Sequence, residues 1–224
     1  MRIKLSDIEI TDIEETLKMN GVVYEDIKSE LVDHIASQIE SSLENENLPY
    51  EKAFKNAFVN WKKELQFRSN GIWVSRNVAA PKIIMDRWVA YSKRHFLYTM
   101  VLSALFTCLI GITMMKYNDS LYLLKYGIRL FCMLNLGLVI VGRILIWKYT
   151  VNTSVGFLFK RRSLMVFFMP LMISFGLFRL NIFDRDLDIR YVMTFFFLAL
   201  NIYFVMDYPL VLKHIRLNKE LAVS

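Results

Sequence analysis

The sequence predicts an all-α protein in two parts, an N-terminal cytosolic three-helix bundle followed by a four-helix transmembrane bundle. Three observations predict it. Phe96–Met115 reads FLYTMVLSALFTCLIGITMM, without one formal charge, and as an α-helix it spans about 30 Å, the thickness of a bilayer's hydrocarbon core. The chain is 55% hydrophobic yet 22% charged, a mixture that suits one soluble and one membrane segment better than a single globular domain. Charge is also divided. Residues 1–95 carry 14 basic and 15 acidic groups, and residues 96–224 carry 14 basic and 6 acidic. The net charge of +7 therefore belongs to the flanks of the spans. A nucleic-acid partner is not expected, because binding one needs a basic face on the soluble part.

The soluble part is assigned to residues 1–71. Thr11-Asp12-Ile13-Glu14 has the pattern of a capping box, a hydroxyl for an early N–H and a glutamate to reach back. The helix it starts is expected to close at Asn20-Gly21, residue types that tolerate left-handed backbone. A second helix is predicted over about Val22–Glu44, where Tyr24, Ile27, Leu31, Ile35 and Ile39 share one face at 100° per residue. Pro49 suits the first turn of a third. There Tyr50, Ala53, Phe54, Ala57, Phe58, Trp61 and Leu65 form one apolar stripe, and Asn70-Gly71 is expected to end it. Three helices each apolar on one side make a small bundle, with their shared faces as its core.

The stretch from Asn20 to Trp61 carries an E-L-x-D-H-I run at Glu30–Ile35, then Glu40, then Ala53, Phe54 and Trp61. On these residues it resembles the helical prefix domain found ahead of membrane spans in many bacterial proteins, with the HAAS and permease-prefix families as examples. It is more similar still to an uncharacterised bacterial family that joins this domain to a small membrane region. The resemblance implies a cytosolic helical module, often encoded beside transcription regulators, with no established catalytic role.

Glu30, Asp33 and His34 form the one polar cluster of this part. Glu30 and His34 are four apart and on one side of a helix, so they can share a ligand. The plainer reading has His34 hydrogen-bonded at the core's edge and the carboxylates solvated, and without a second cluster no metal is assigned. Residues 72–95 form a juxtamembrane segment. Its basic groups face anionic headgroups, which attract Lys and Arg, and Ile72-Trp73-Val74 is placed to dip into that interface. Pro81 suits a helix start, and Lys82–Tyr91 is expected to run into the first span. Trp88, Tyr91, Lys93 and Arg94 are the expected membrane anchors.

The transmembrane domain covers 96–224, with spans at about 96–115, 128–147, 164–180 and 191–212. Pro170 should bend the third. Asn135 and Asn201 lie at the centres of the second and fourth spans, where amides can line a polar path but more often hydrogen-bond between helices. Arg143 and Asp207 stand at nearly one depth, so spans 2 and 4 are expected to be neighbours with these two groups paired. The alternative is that each snorkels alone. Cys108 and Cys132 read as apolar fillers.

Basic residues cluster before span 1 (Lys82, Arg87, Lys93, Arg94), between spans 2 and 3 (Lys148, Lys160, Arg161, Arg162) and after span 4 (Lys213, Arg216, Lys219). All three segments fall on one side, so both termini are expected in the cytosol. Asn118-Asp119-Ser120 matches a glycosylation acceptor, to which a bacterial-looking protein attaches no meaning. Met1–Asn20 has no apolar core and is not read as a signal peptide.

No H-E-x-x-H, G-x-S-x-G, C-x-x-C or phosphate-binding glycine loop is present, and these are the motifs that would carry common enzyme chemistry. The expectation is a non-enzymatic protein of the bacterial inner membrane, without cofactor. Its partners would be the lipid bilayer and a cytosolic protein docked on residues 1–71. The alternative is a small transporter or efflux component working as an oligomer of identical chains.

Overall fold

A computed structural model describes residues 4–116, 120–174 and 187–221. It is mostly helical, and the chain divides into two compact units. The first holds residues 1–92 with Val151–Ser154, and the second the remainder. Residues 175–180 of the expected third span and the Asn118-Asp119 motif lie outside the described residues.

The first unit begins with α1 (Asp7–Met19). Its cap is Ser6 with Glu9, one turn before the box expected at Thr11 and Glu14. Ser6-Asp7-Ile8-Glu9 has the same pattern, and the earlier box adds a turn ahead of the buried pair Ile13 and Leu17. The Thr11 hydroxyl instead donates to the Asp7 carbonyl at 2.8 Å. The helix closes through Gly21, whose φ of +84° is left-handed. A Cβ there would also run into the Phe67 ring, so the position demands glycine twice over.

Helix α2 (Glu25–Asn45) buries Ile27, Leu31, Ile35 and Ile39, with Val32 and Ala36 beside them. Helix α3 (Tyr50–Leu65) follows Pro49 and buries Ala53, Ala57 and Leu65. Its aromatic residues Phe54, Phe58 and Trp61 are only half-buried. The alanines let α3 approach α2 closely while the rings lap over the seam. Trp61 Nε1 donates to Gln38 Oε1 at 3.2 Å. The Tyr50 hydroxyl donates to the Glu9 carbonyl at 3.2 Å. Burial, then the carboxylates of Asp12 and Glu9, push Tyr50 up to about 12.

The chain departs from all-helical character at residues 67–81. Strands β1 (Phe67–Asn70) and β2 (Ser75–Pro81) form an antiparallel hairpin with an irregularity at Ser69/Asn70. Asn70-Gly71 is thus a hairpin turn and not a helix stop, and α3 ends at Leu65. The Asn70 side chain accepts from Trp73 N at 3.1 Å, a turn device that asparagine supplies. Ile72, at the tip, is 89% exposed.

Helix α4 (Lys82–Lys116) runs unbroken. Its first turns contribute Ile84, Met85 and Trp88 to the core of the first unit. The second unit comprises the rest of α4 with α5 (Ser120–Lys148), α6 (Ser154–Ser174, from Val155 onward), α7 (Leu187–Val205) and α8 (Tyr208–Leu221). Helices α4 and α5 contain stretches long and apolar enough to cross a membrane, Lys82–Thr113 and Leu130–Lys148.

On α5, Cys132, Asn135, Val139, Gly142 and Ile146 are buried. Their alternating spacing of three and four makes one stripe, and α5 packs against α7 and α8. Gly142 is where helices come closest, since a Cβ there would meet Phe159 Cζ at 2.8 Å and Val211 Cγ2 at 3.2 Å. Ser92, Thr99, Ser103 and Thr107 each turn a hydroxyl onto the carbonyl one turn back in α4, which satisfies them without a second helix.

The expected fourth span, 191–212, is interrupted. A turn at Met206-Asp207 separates α7 from α8. Asp207 N donates to the Phe204 carbonyl and Leu210 N to the Asp207 carbonyl. Pro209 falls in the first turn of α8, where a missing N–H costs nothing.

Stability in the first unit should follow this burial. Ile35, fully buried, should lose about 2–5 kcal/mol on replacement by alanine. Trp61→Ala should lose less, because the ring is half-exposed. Urea unfolding of a fragment ending at Tyr91, followed by circular dichroism, checks both.

Candidate functional site

Two polar constellations stand out, one in each unit. In the first unit, residues 23–26 and Trp88 hold the segment Val151–Ser154. Glu25 N donates to the Asn152 carbonyl at 3.0 Å, and Asn152 Nδ2 donates to the Val23 carbonyl at 3.4 Å. The Asp26 carboxylate accepts from Ser154 N at 2.8 Å and from Ser154 Oγ at 2.5 Å. It serves as a cap brought from a distant helix, satisfying an N–H that a helix start leaves open. Trp88 Nε1 donates to the Ser154 carbonyl at 3.3 Å, and the Trp88 and Tyr24 rings meet edge to face at 5.5 Å. Burial first, and Asp26 second, push the Tyr24 hydroxyl up to about 12, so it remains a neutral donor at physiological pH.

The second constellation surrounds Asp207, whose side chain is 3% exposed. Arg162 Nη1, on α6, donates to Asp207 Oδ1 at 2.8 Å. His95 Nε2, on α4, lies 3.3 Å from the same oxygen. The Arg162 guanidinium also sits 5.5 Å from the Tyr203 ring centroid, a cation–π distance, and the His95 ring stands edge-on to Tyr203 at 4.4 Å. The Thr99 hydroxyl donates to the His95 carbonyl at 2.9 Å. Asp207 Oδ2 is buried and accepts no hydrogen bond among the described residues. Nearby, His214 Nε2 faces the Tyr149 carbonyl at 3.3 Å. A carbonyl can only accept, so that nitrogen carries the proton.

The residues singled out from the sequence fall as follows. Asn135 and Asn201 meet, with Asn135 Nδ2 donating to the Asn201 carbonyl at 2.9 Å and to its Oδ1 at 3.2 Å. Arg143 and Asp207 do not pair. Arg143 Nε donates to Ser163 Oγ at 2.9 Å and Nη2 to the Lys160 carbonyl at 3.0 Å. The two were matched by depth alone, and azimuth decides against them. Gly142 is the residue facing Val211 of α8, and Arg143 is rotated about 100° from it.

Glu30 makes a two-pronged pair with Arg87 at 2.6 and 2.7 Å. Asp33 and His34 are exposed, and among the described residues no group of three His, Cys, Asp or Glu is placed to hold a metal ion. Lys93 and Arg94 are exposed and Tyr91 half-buried. Trp88, expected as an interface anchor, is instead 3% exposed within the first unit.

Sequence reasoning missed Arg162 and His95 as partners of Asp207, treating Arg162 as flanking charge. One usable signal was Asp207-Tyr208-Pro209, an acid followed by an early proline, which marks a helix start inside the expected span. Comparison with family models, with characterised proteins and with solved structures returns no match for this chain.

Two outcomes follow from this geometry. Replacing one member of the buried pair, Asp207→Asn or Arg162→Met, should cost about 3–5 kcal/mol by leaving the other uncompensated, and replacing both should cost less. Thermal unfolding in detergent reads this cycle, and the Arg143/Asp207 cycle run alongside should be additive. In the first unit, Asp26→Ala should release the Ser154 amide by about 0.5–2 kcal/mol, the range for a lost helix cap. Hydrogen exchange at Ser154 checks it, with Asp26→Asn retaining part of the protection.

Proposed function

We propose that the chain is a non-enzymatic, multi-pass protein of a bacterial cytoplasmic membrane, in which the N-terminal helical module docks a cytosolic partner. It would act as an anchor, a regulator or an accessory subunit. The observation that carries this reading is the apolar exterior of the long helices. On α4, Leu97, Val101, Leu105 and Ile112 are 51–64% exposed, and its most apolar window is only 11% buried. A core helix of a soluble protein buries such residues, whereas lipid leaves them outward.

The first unit supports the docking half of the reading, because its surface is charged and its core is its own. The resemblance of Asn20–Trp61 to membrane-protein prefix modules supports it as well. In this topology α4, α5, α6 and α7 cross and α8 returns to the cytosolic face, its exposed Lys213, Arg216 and Lys219 among headgroups. The basic segments then lie together on the cytosolic side, with both termini.

Alkaline extraction and reporter fusions test it. The chain should stay with the membrane at high pH. A periplasm-active phosphatase should be silent when fused after Ser224 and active when fused after Asn118. The opposite pattern contradicts the topology.

One observation favours a second reading, a small transporter working as an oligomer. Buried Asp207, Arg162 and His95 are the residue types found along ion and substrate paths in membranes. Flux into liposomes carrying the purified chain would support it, and its absence favours the docking role.

A further inference from the structure

The first turns of α6 and the last turns of α5 form a groove of about 650 Å³. Its two walls follow from helical spacing. Phe157, Lys160, Arg161 and Leu164 recur at three- and four-residue steps on α6, and Arg143, Ile144 and Trp147 do so on α5. The groove therefore combines three cations with apolar and aromatic surface, and no acid lines it among the described residues.

Its two halves suit different parts of one molecule. Lys160 and Arg161 are exposed, and Arg143 is held in place by Ser163 Oγ and the Lys160 carbonyl. A guanidinium already fixed loses little freedom when an anion arrives. Trp147, 82% exposed, and Ile144, 56% exposed, continue the groove into the outward apolar face of α5. A soluble anion would use the cations and leave that surface wet. A soluble apolar ligand would make no use of the basic side chains.

We propose that this groove binds the phosphate headgroup of an anionic phospholipid, with an acyl chain lying along Trp147 and Ile144. The proposal rests on the membrane reading above, and it goes beyond it by assigning a specific lipid site. Charge complementarity selects the occupant. Arg143, Lys160 and Arg161 face an anion of fixed depth at the cytosolic headgroup level, where basic pockets between helices collect acidic lipids.

The test uses the full chain in bilayer nanodiscs of phosphatidylcholine containing a minor fraction of lipid brominated on its acyl chains. Bromine quenches a tryptophan it touches, and the difference between the native chain and Trp147→Phe isolates Trp147. Brominated phosphatidylglycerol should quench Trp147 at a lower mole fraction than brominated phosphatidylcholine. In Lys160→Gln/Arg161→Gln, two exposed changes that spare the buried contacts, that preference should fall about fivefold per cation removed.

Equal quenching by both lipids, or a preference unchanged in the double variant, overturns the site. Displacement by free inorganic phosphate also overturns it, in favour of a soluble anion. A chain that fails to float with vesicles and is quenched by neither lipid fails the membrane reading, and this site with it.

Discussion

Asp207 places a carboxylate where no solvent reaches it, and the second unit is arranged around that charge. Its partners come from separate elements, Arg162 from α6 and His95 from α4, while the Asp207 backbone forms the turn between α7 and α8. Apolar packing is nearly indifferent to a small slide of one helix along another. A buried ion pair is not, because moving one partner strands the other at a cost of several kcal/mol. Tyr203 adds its ring to both Arg162 and His95. The amide contact between Asn135 and Asn201 locks α5 and α7 in the same way. Directional contacts inside thus set a register that the lipid-like exterior leaves open.

The first unit works under the opposite constraint. It is small, and its core is a set of apolar residues on α1, α2 and the first turns of α4, Trp88 included, closed by alanines of α3. Burial there is modest, so local devices matter more: the Ser6–Glu9 box, the Gly21 closure and the hairpin turn at Asn70. The clasp on residues 151–154 is polar at every point, which gives it geometry more than strength. The five hydrogen bonds of the clasp are worth about 0.5–1.5 kcal/mol each, and more only where the Asp26 carboxylate accepts.

Much of this was legible from residue order. The stripes Ile27–Ile39 on α2 and Ala53–Leu65 on α3 are helical periodicity, and the uncharged run from Phe96 is a length that needs no partner to interpret. An interhelical role for Asn135 and Asn201 was legible because a central amide in an apolar helix needs a polar partner, but that they meet each other was not. What stayed hidden depends on rotation about helix axes or on competition between equal local signals. Arg143 and Arg162 are both cations near helix ends, and only packing distinguishes which one faces Asp207. Two capping boxes follow one another at the start of α1, Ser6–Glu9 and Thr11–Glu14, and the earlier one caps the helix that buries Ile13 and Leu17. Asn-Gly ends helices and turns hairpins alike, and the apolar stripe before it pointed to the first. Trp88 looked like an anchor because it precedes a span, and was taken by the core instead.

The position of Asp207 along the chain has a consequence for biogenesis. Arg162 and His95 leave the ribosome well before the residue that compensates Arg162, since domains assemble in the order of synthesis. In the membrane reading, the nascent chain carries an unmatched cation through insertion until Asp207 arrives. A ribosome stalled or terminated before Asp207 leaves α6 with a charge it cannot bury, the kind of helix that the insertion machinery and membrane proteases handle as unfinished. The same residue that sets helix register then also decides when α6 can be buried.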